Sequence, residues 1–209
     1  MNRLLRLSIV RHGETNLNFK SVCQGHTDGK LTQKGITQAS QLGQSLADRR
    51  YDKVYVSDLS RAVDTCQGIL SNNRNFTESE SNYKKLTLIR ERFYGDADGV
   101  LPVADYIQDA NDLGIPLRLH MPAENAETVE QMGLRIRQFV DRHLVPDSEK
   151  VPQNPVPNFL VVSHAIFLKE MVTYLKAWGG STSPKIIVAN LLLISCRGLL
   201  TASSRQQGT

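Results

Sequence analysis

Two of the five histidines follow directly on apolar runs: His12 in Ser8-Ile9-Val10-Arg11-His12, and His164 in Leu160-Val161-Val162-Ser163-His164. Arg61 comes shortly after Val54-Tyr55-Val56-Ser57, and Glu91 just after Leu86-Thr87-Leu88-Ile89. Taken singly, each has a plain structural explanation, as a strand-end residue, a helix-surface charge or an ion-pair partner. Taken together they form a set with a definite chemistry. A guanidinium is a planar fork of donors that matches phosphate oxygens, and each charge-assisted hydrogen bond contributes about 1.5–3 kcal/mol. Two arginines around one phosphoryl group would stabilise the charge that redistributes during its transfer. A histidine attacks phosphorus only when neutral; its ordinary pKa is about 6.5, and nearby cations lower it. Arg11 and Arg61 would then both clamp a phosphate and keep His12 unprotonated. Gly13 would let the backbone approach, and its carbonyl could fix the His12 tautomer. Glu91 suits a general acid to the leaving oxygen. Arg90 and Arg92 flank it, but in extended chain successive side chains point to opposite faces, so Glu91 faces the cleft while they turn away.

These residues need elements to position them. Apolar runs at residues 5–10, 54–57, 86–89, 159–162 and 186–194 read as strands, the first four as buried parallel ones. Between them lie four stripes at helical spacing: Ile36, Ala39, Leu42 and Leu46; Ala62, Val63, Cys66, Ile69 and Leu70; Val129, Met132, Ile136, Phe139 and Val140; Ile166, Met171, Leu175 and Trp178. Thr32 is a candidate cap for the first, and Thr128 with Gln131 fits a capping box for the third. Segments 71–85 and 146–158 read as loops, and 95–126 as an irregular excursion with one helix at 103–113. Alternating strands and helices predict an α/β fold: a mostly parallel central sheet with helices on both faces. Residues 1–201 read as a single domain and 202–209 as a disordered tail. In an open parallel sheet ligands bind at the carboxyl ends of strands, which is where all four chemical residues fall.

The totals narrow the field. With 209 residues, 40% hydrophobic and 22% charged, the chain is globular in composition. No apolar run approaches the roughly 20 residues of a membrane span. The amino-terminal segment meets charge too early for a signal peptide. Three widely spaced cysteines, Cys23, Cys66 and Cys196, fit a reduced, cytoplasmic protein rather than a zinc cluster. His26 and Asp28 are the nearest pair to a metal site, and the expectation is no metal. A net charge of +4 mildly favours an acidic partner. Aromatics at 6%, with no interleaved basic stripe, argue against nucleic acid. Lys20, Lys30 and Lys84 are candidates for a second phosphate.

The stretch RHGETNLN at 11–18 resembles the signature of the histidine phosphatase superfamily, with its phosphoglycerate-mutase-like fold. CQGHTDGKLTQKGITQA, SDLSRAVDTCQGIL, IRERFYGDADG, NAETVEQM and FLVVSHA follow in the family's order, so the resemblance covers most of the chain. Within the superfamily, SDLSRAVDTCQGIL and RERFYG are most similar to its fructose-2,6-bisphosphatases. The resemblance implies a three-layer sandwich and a phosphatase acting on a small phosphorylated sugar without metal or other cofactor. It implies that His12 becomes phosphorylated, that Arg11, Arg61 and His164 bind the transferred group, and that Glu91 donates the proton. Asn18, Gln24, Gly25 and Ala165 would line the phosphate site. A mutase of the same fold, or a weakly active protein-binding member, are the alternatives. Ala165 stands where the family has glycine but keeps the backbone N–H. Asn125-Ala126 replaces a Gly-Gly, where asparagine would supply left-handed backbone. After Asn190 the sequence turns bulkier than the family pattern.

Overall fold

The computed structural model describes residues 4–178, 192–195 and 198–201. Four strands form one parallel sheet: β1 (Arg6–Arg11), β2 (Lys53–Ser57), β3 (Tyr83–Leu86) and β4 (Asn158–Ser163). In space β1 lies beside β4, β4 beside β2, and β2 beside β3. The helices are α1 (Asn16–Phe19), α2 (Gln33–Ser45), α3 (Ser60–Leu70), α4 (Val103–Asp112), α5 (Val129–Phe139), α6 (Val145–Lys150) and α7 (Ala165–Trp178).

The strand period of two divides the sheet residues between two cores. Leu7, Ile9, Tyr55, Phe159 and Val161 face α5 and α7, where they meet Met132, Ile136, Phe139, Phe167, Leu168 and Met171. Val10, Val54, Val56, Leu160 and Val162 face α2 and α3, where they meet Leu42, Leu46, Ala62, Cys66 and Ile69. This is the three-layer α/β sandwich expected from the alternation. Thr32 caps α2 by accepting the N–H of Gly35, and Thr128 with Gln131 makes the capping box of α5. Ile36 departs from its stripe: it is half exposed and lines an open groove between α2 and α3.

Three expectations need correction. The third strand is not 86–89 but β3, ending at Leu86, and Thr87–Ile89 forms a 3₁₀ turn. β3 reads Tyr-Lys-Lys-Leu and lies at the sheet edge, half exposed, so it lacks the apolar run of a central strand. Of this turn only Ile89 is buried, and it joins the core on the α5 and α7 side. Segment 146–158 is not all loop, since α6 occupies its start. Helix α5 runs through a π turn, Val140–Leu144, into α6. Pro146 sits in the first turn of α6, and the π turn just upstream changes the hydrogen-bond period where a proline could not donate. The fifth run, 186–194, is a strand where it is described. Its end is β5 (Leu192–Ser195), paired antiparallel with β6 (Gly198–Thr201) in a separate two-stranded ladder. Residues 186–191 and the tail 202–209 lie outside the described residues. The helix expected at 103–113 is α4, and Asn125 serves the loop differently from expected. Its φ is not positive; its side chain instead accepts the N–H of Asp96 at 3.0 Å and donates to Asp96 Oδ1 at 2.9 Å.

Candidate active site

Strand register brings the two histidines together. Arg11 pairs with Ser163 across β1 and β4, so the next residues, His12 and His164, emerge side by side. The His12 N–H donates to the Ser163 carbonyl at 3.0 Å, and the ring centroids lie 5.1 Å apart. Both are buried, at 4% and 0% exposure. Gly13 follows because α2 crosses close by: a Cβ there would sit 2.7 Å from the Gly35 carbonyl oxygen.

Hydrogen bonds fix the His12 tautomer. Nδ1–H donates to the Gly13 carbonyl at 2.8 Å, which leaves the lone pair on Nε2. Nε2 accepts a long hydrogen bond, 3.3 Å, from Arg61 Nε. Burial is the main cause that holds the His12 pKa well below its ordinary value, with the charges of Arg61 and then Arg11 adding to it. His12 is therefore a neutral imidazole with its reactive nitrogen turned to a cation.

Arg61, at the start of α3, is fully buried. Nη2 donates to the Gly25 carbonyl at 2.6 Å and Nη1 to the Thr27 carbonyl at 3.2 Å. Burial pulls the guanidinium down to about 10, against the opposing charges of Glu91, Asp28 and Asp98, and it stays charged at neutral pH. Among the described residues three of its five N–H donors have partners, which leaves two for a ligand. Arg11 is half-buried, and its Nε is buried with no partner among the described residues.

His164 is oriented by Ser57, at the end of β2. The Ser57 hydroxyl hydrogen-bonds His164 Nε2 at 2.8 Å, and its oxygen also accepts the Leu59 N–H at 3.4 Å. Its Nδ1 is buried with no partner among the described residues. Burial and the charge of Arg61 keep this ring neutral as well. The site thus holds a lone pair on the His12 ring, a second neutral imidazole beside it, and arginine donors with no partner among the described residues.

Glu91 is buried at the same sheet edge. Its Oε1 accepts the N–H groups of Arg92 at 2.9 Å and Phe167 at 3.0 Å, and its Oε2 that of Ile166 at 3.1 Å. It therefore caps α7, satisfying donors that a helix start leaves open. Its flanking arginines do turn away. Arg90 pairs with Asp58, and Arg92 donates to the Glu127 carbonyl and the Tyr106 hydroxyl. Arg135 binds Glu127 at 2.6 Å and donates to the carbonyls of Leu88 and Arg90, holding the segment in place.

The remaining expected residues stand further out. Asn18 forms the capping box of α1 with Thr15. Gln24 accepts the Thr15 hydroxyl at 2.7 Å and shares the Thr27 carbonyl with Arg61. Gly25 reaches the site through its carbonyl, whereas its N–H donates to Asp98. Ala165 opens α7 directly after His164. Lys84 pairs with Asp147 at 2.9 Å, which engages it away from any ligand. His26 donates to or accepts from no metal cluster; its Nε2–H bonds the Glu91 carbonyl at 3.0 Å. Among the described residues no group of three or more His, Cys, Asp or Glu is placed to hold a metal ion. Burial pushes the Cys23 thiol up to about 11 and Cys66 up to about 12, so both stay protonated.

Sequence reasoning missed Ser57, Thr65 and Asp98. Ser57 carried a signal, since it too ends a strand run. Thr65 lies one turn after Arg61; it donates to the Arg61 carbonyl at 2.7 Å and accepts the Gly13 N–H at 2.9 Å, tying α3 to the His12 loop.

Known proteins resemble this chain in sequence and in fold. The model of the histidine phosphatase superfamily (branch 1) matches residues 7–197. Mouse fructose-2,6-bisphosphatase TIGAR is 35% identical over 136 residues, 65% of this chain and 49% of that protein. The chain spans about half the length of the first such relatives it matches. A broad-specificity phosphatase of Saccharomyces cerevisiae is 30% identical over 195 residues, covering 90% of this chain and 77% of that protein. Among solved structures, a mycobacterial glucosyl-3-phosphoglycerate phosphatase superposes with a TM-score of 0.67 at 25% identity, covering 81% of this chain and 78% of that one. Phosphoglycerate mutase from Bacillus anthracis superposes with a TM-score of 0.67 at 23% identity, covering 89% and 85%, and shares the fold. The chain belongs to the histidine phosphatase superfamily, branch 1.

Proposed function

We propose that the chain is a phosphatase that works through a phosphohistidine, on a phosphorylated sugar such as fructose-2,6-bisphosphate or a related glycolytic phosphate ester. The supporting observation is the His12 ring: neutral, tautomer-fixed, and facing an arginine that retains free donors. An arriving phosphoryl group takes over the Arg61 Nε–H and frees the Nε2 lone pair. Nε2 attacks phosphorus, the ester P–O bond breaks, and the departing oxygen takes a proton from Glu91. For that step Glu91 must carry a proton and turn one oxygen from α7 to the leaving group. Arg11, Arg61 and the His164 Nδ1–H hold the phosphoryl oxygens as their charge shifts. Water then attacks phosphorus, the P–N bond breaks, and Glu91 recovers a proton from the water. The arginines supply the charge stabilisation, so the reading requires no metal. Among the described residues no helix is long and apolar enough to cross a membrane, and we place the protein in the reducing cytoplasm on the strength of its dispersed cysteines.

The test is to incubate the protein with labelled fructose-2,6-bisphosphate, bisphosphoglycerate and simple monoesters. Acid-labile, base-stable label on the parent, absent from His12→Ala, is expected along with released phosphate. Turnover that survives His12→Ala overturns the mechanism, and conversion of 3-phosphoglycerate without phosphate release assigns a mutase instead.

A further inference from the structure

Asp98 belongs to the excursion between β3 and α5, a part of the chain with no expected role in the chemistry. Its carboxylate accepts three consecutive backbone N–H groups: Gly25 at 2.8 Å on Oδ1, His26 at 2.5 Å and Thr27 at 3.2 Å on Oδ2. The same short loop turns its carbonyls the other way. The Gly25 and Thr27 oxygens take Arg61 Nη2 and Nη1, and the remaining Nε of that guanidinium meets His12 Nε2.

One peptide unit makes the connection rigid. The Gly25 C=O and the His26 N–H belong to the same planar, trans amide, so they point in opposite directions. When Asp98 takes the N–H, the C=O faces Arg61. Rotating that plane would cost Asp98 and Arg61 a hydrogen bond each. The fit is close on both sides: a Cβ on Gly25 would strike the Arg92 carbonyl oxygen and come within 2.8 Å of Asp98 Oδ2. Gly99, at φ +78°, turns the chain straight back so that its N–H reaches the Cys23 carbonyl at 2.9 Å.

We infer that Asp98 is a positioning residue for phosphoryl transfer: it sets the loop carbonyls that aim the Arg61 guanidinium at His12 and at the transferred phosphate. This rests on reading the site as a phosphoryl-transfer site. The chain of contacts runs from Asp98 through one amide to Arg61 and then to the nucleophile. Loosening it would misdirect donors needed most when charge is greatest, in the transition state.

Asp98→Asn separates this role from a mere staple. Asparagine keeps the shape, but its NH₂ confronts at least one backbone N–H donor. For a folded variant, kcat on 4-nitrophenyl phosphate is expected to fall at least tenfold with little change in KM. Inhibition by orthovanadate, which adopts the five-coordinate geometry, should weaken by a similar factor. Asp98→Glu should recover part of both. Asp96→Ala, which removes a neighbouring carboxylate that bonds Asn125, should leave kcat near the parent value. Parent-like kcat and vanadate inhibition in Asp98→Asn overturn the inference, as does an equal loss of kcat in Asp96→Ala. If Asp98→Asn does not fold, Asp98→Glu decides: a fall in kcat and vanadate inhibition together supports the inference, and parent values for both overturn it. A parent without turnover overturns the phosphatase reading alone. Binding of inorganic phosphate then decides for Asp98: tenfold weakening in Asp98→Asn supports it, and unchanged affinity, or no binding by the parent, overturns it.

Discussion

The rings of His12 and His164 sit with centroids 5.1 Å apart and planes inclined by 57°, and neither ring is charged. Two imidazolium ions at that distance, buried beside Arg61, would repel each other and the guanidinium. Their neutrality is thus a condition of the fold as well as of the proposed chemistry.

Stability should therefore fall on the acid side, and the sign follows from the direction of both shifts. Folded, each ring has a pKa well below the ordinary 6.5; unfolded, each returns to about 6.5. Above that value both states are neutral and the contribution is intact. Below it the unfolded chain binds protons that the folded one refuses, until the folded pKa values are reached. The expected slope approaches about 1.4 kcal/mol per pH unit for each ring. Denaturant melts between pH 8 and 4.5 measure it, and His164→Asn should flatten the slope. A parent whose stability is level from pH 6.5 to 5 contradicts the assignment.

Ser57→Ala should impair turnover without unfolding the protein. As a donor to His164 Nε2, at 2.8 Å, the hydroxyl would keep the ring proton on Nδ1. Without it the ring can exchange tautomers, and the fraction that presents an N–H to phosphate drops. A fall in kcat of about tenfold is expected, within the range for a group that orients a catalytic side chain. Nitrogen-15 shifts of the His164 ring should move with it; unchanged ring shifts would show that Ser57 does not set the tautomer.

Arg61→Lys keeps the charge and should still be severely defective. A lysine is a point charge and cannot span the carbonyls of Gly25 and Thr27 while also reaching His12. Loss of one preorganised donor to a developing charge costs about 10²–10³ in rate. A buried carbonyl left unpaired should also cost about 1–3 kcal/mol of stability. Steady-state kinetics and melts on one preparation test both; turnover within a few-fold of the parent removes Arg61 from the role.

Much of this arrangement was legible from one rule, that strand ends of a parallel sheet gather chemistry. His12 and His164 follow from it because β1 and β4 are neighbours in register. Glu91 was found through a displaced strand: the apolar run 86–89 is mostly a 3₁₀ turn that buries only Ile89, but that turn continues β3 to the same edge. Other features leave no mark on side-chain types. Arg61 is gripped by backbone carbonyls at positions 25 and 27, and any residue supplies a carbonyl. Glu91 accepts a helix N–H 75 residues further on, and nothing in its local sequence names that helix. The amphipathic charge of β3, suited to an edge, concealed a strand by the same logic that revealed the central ones.

Far from the site, Asp147 ties α6 to the sheet and offers an independent check on the packing. It accepts the Tyr55 hydroxyl at 2.8 Å and Lys84 Nζ at 2.9 Å, with Lys150 at 3.2 Å. Burial alone would raise its pKa, but Lys84 and Tyr55 outweigh it and hold the carboxyl at about 2. The folded pKa lies below the unfolded value of about 3.9, so its contribution is complete above 3.9 and disappears as pH falls toward 2. That contribution is about 2 kcal/mol, trimmed because Lys84 retains contact with solvent. Asp147→Ala should lower stability at neutral pH by about 2–3 kcal/mol, since it strands a lysine and a buried hydroxyl together. Tyr55→Phe should lose less, because the edge-on packing of its ring against Phe139 remains. With the two changes combined, the loss should fall short of their sum, because the hydroxyl and the carboxylate share one hydrogen bond. Strict additivity in that cycle would mean that Asp147 and Tyr55 do not meet in solution.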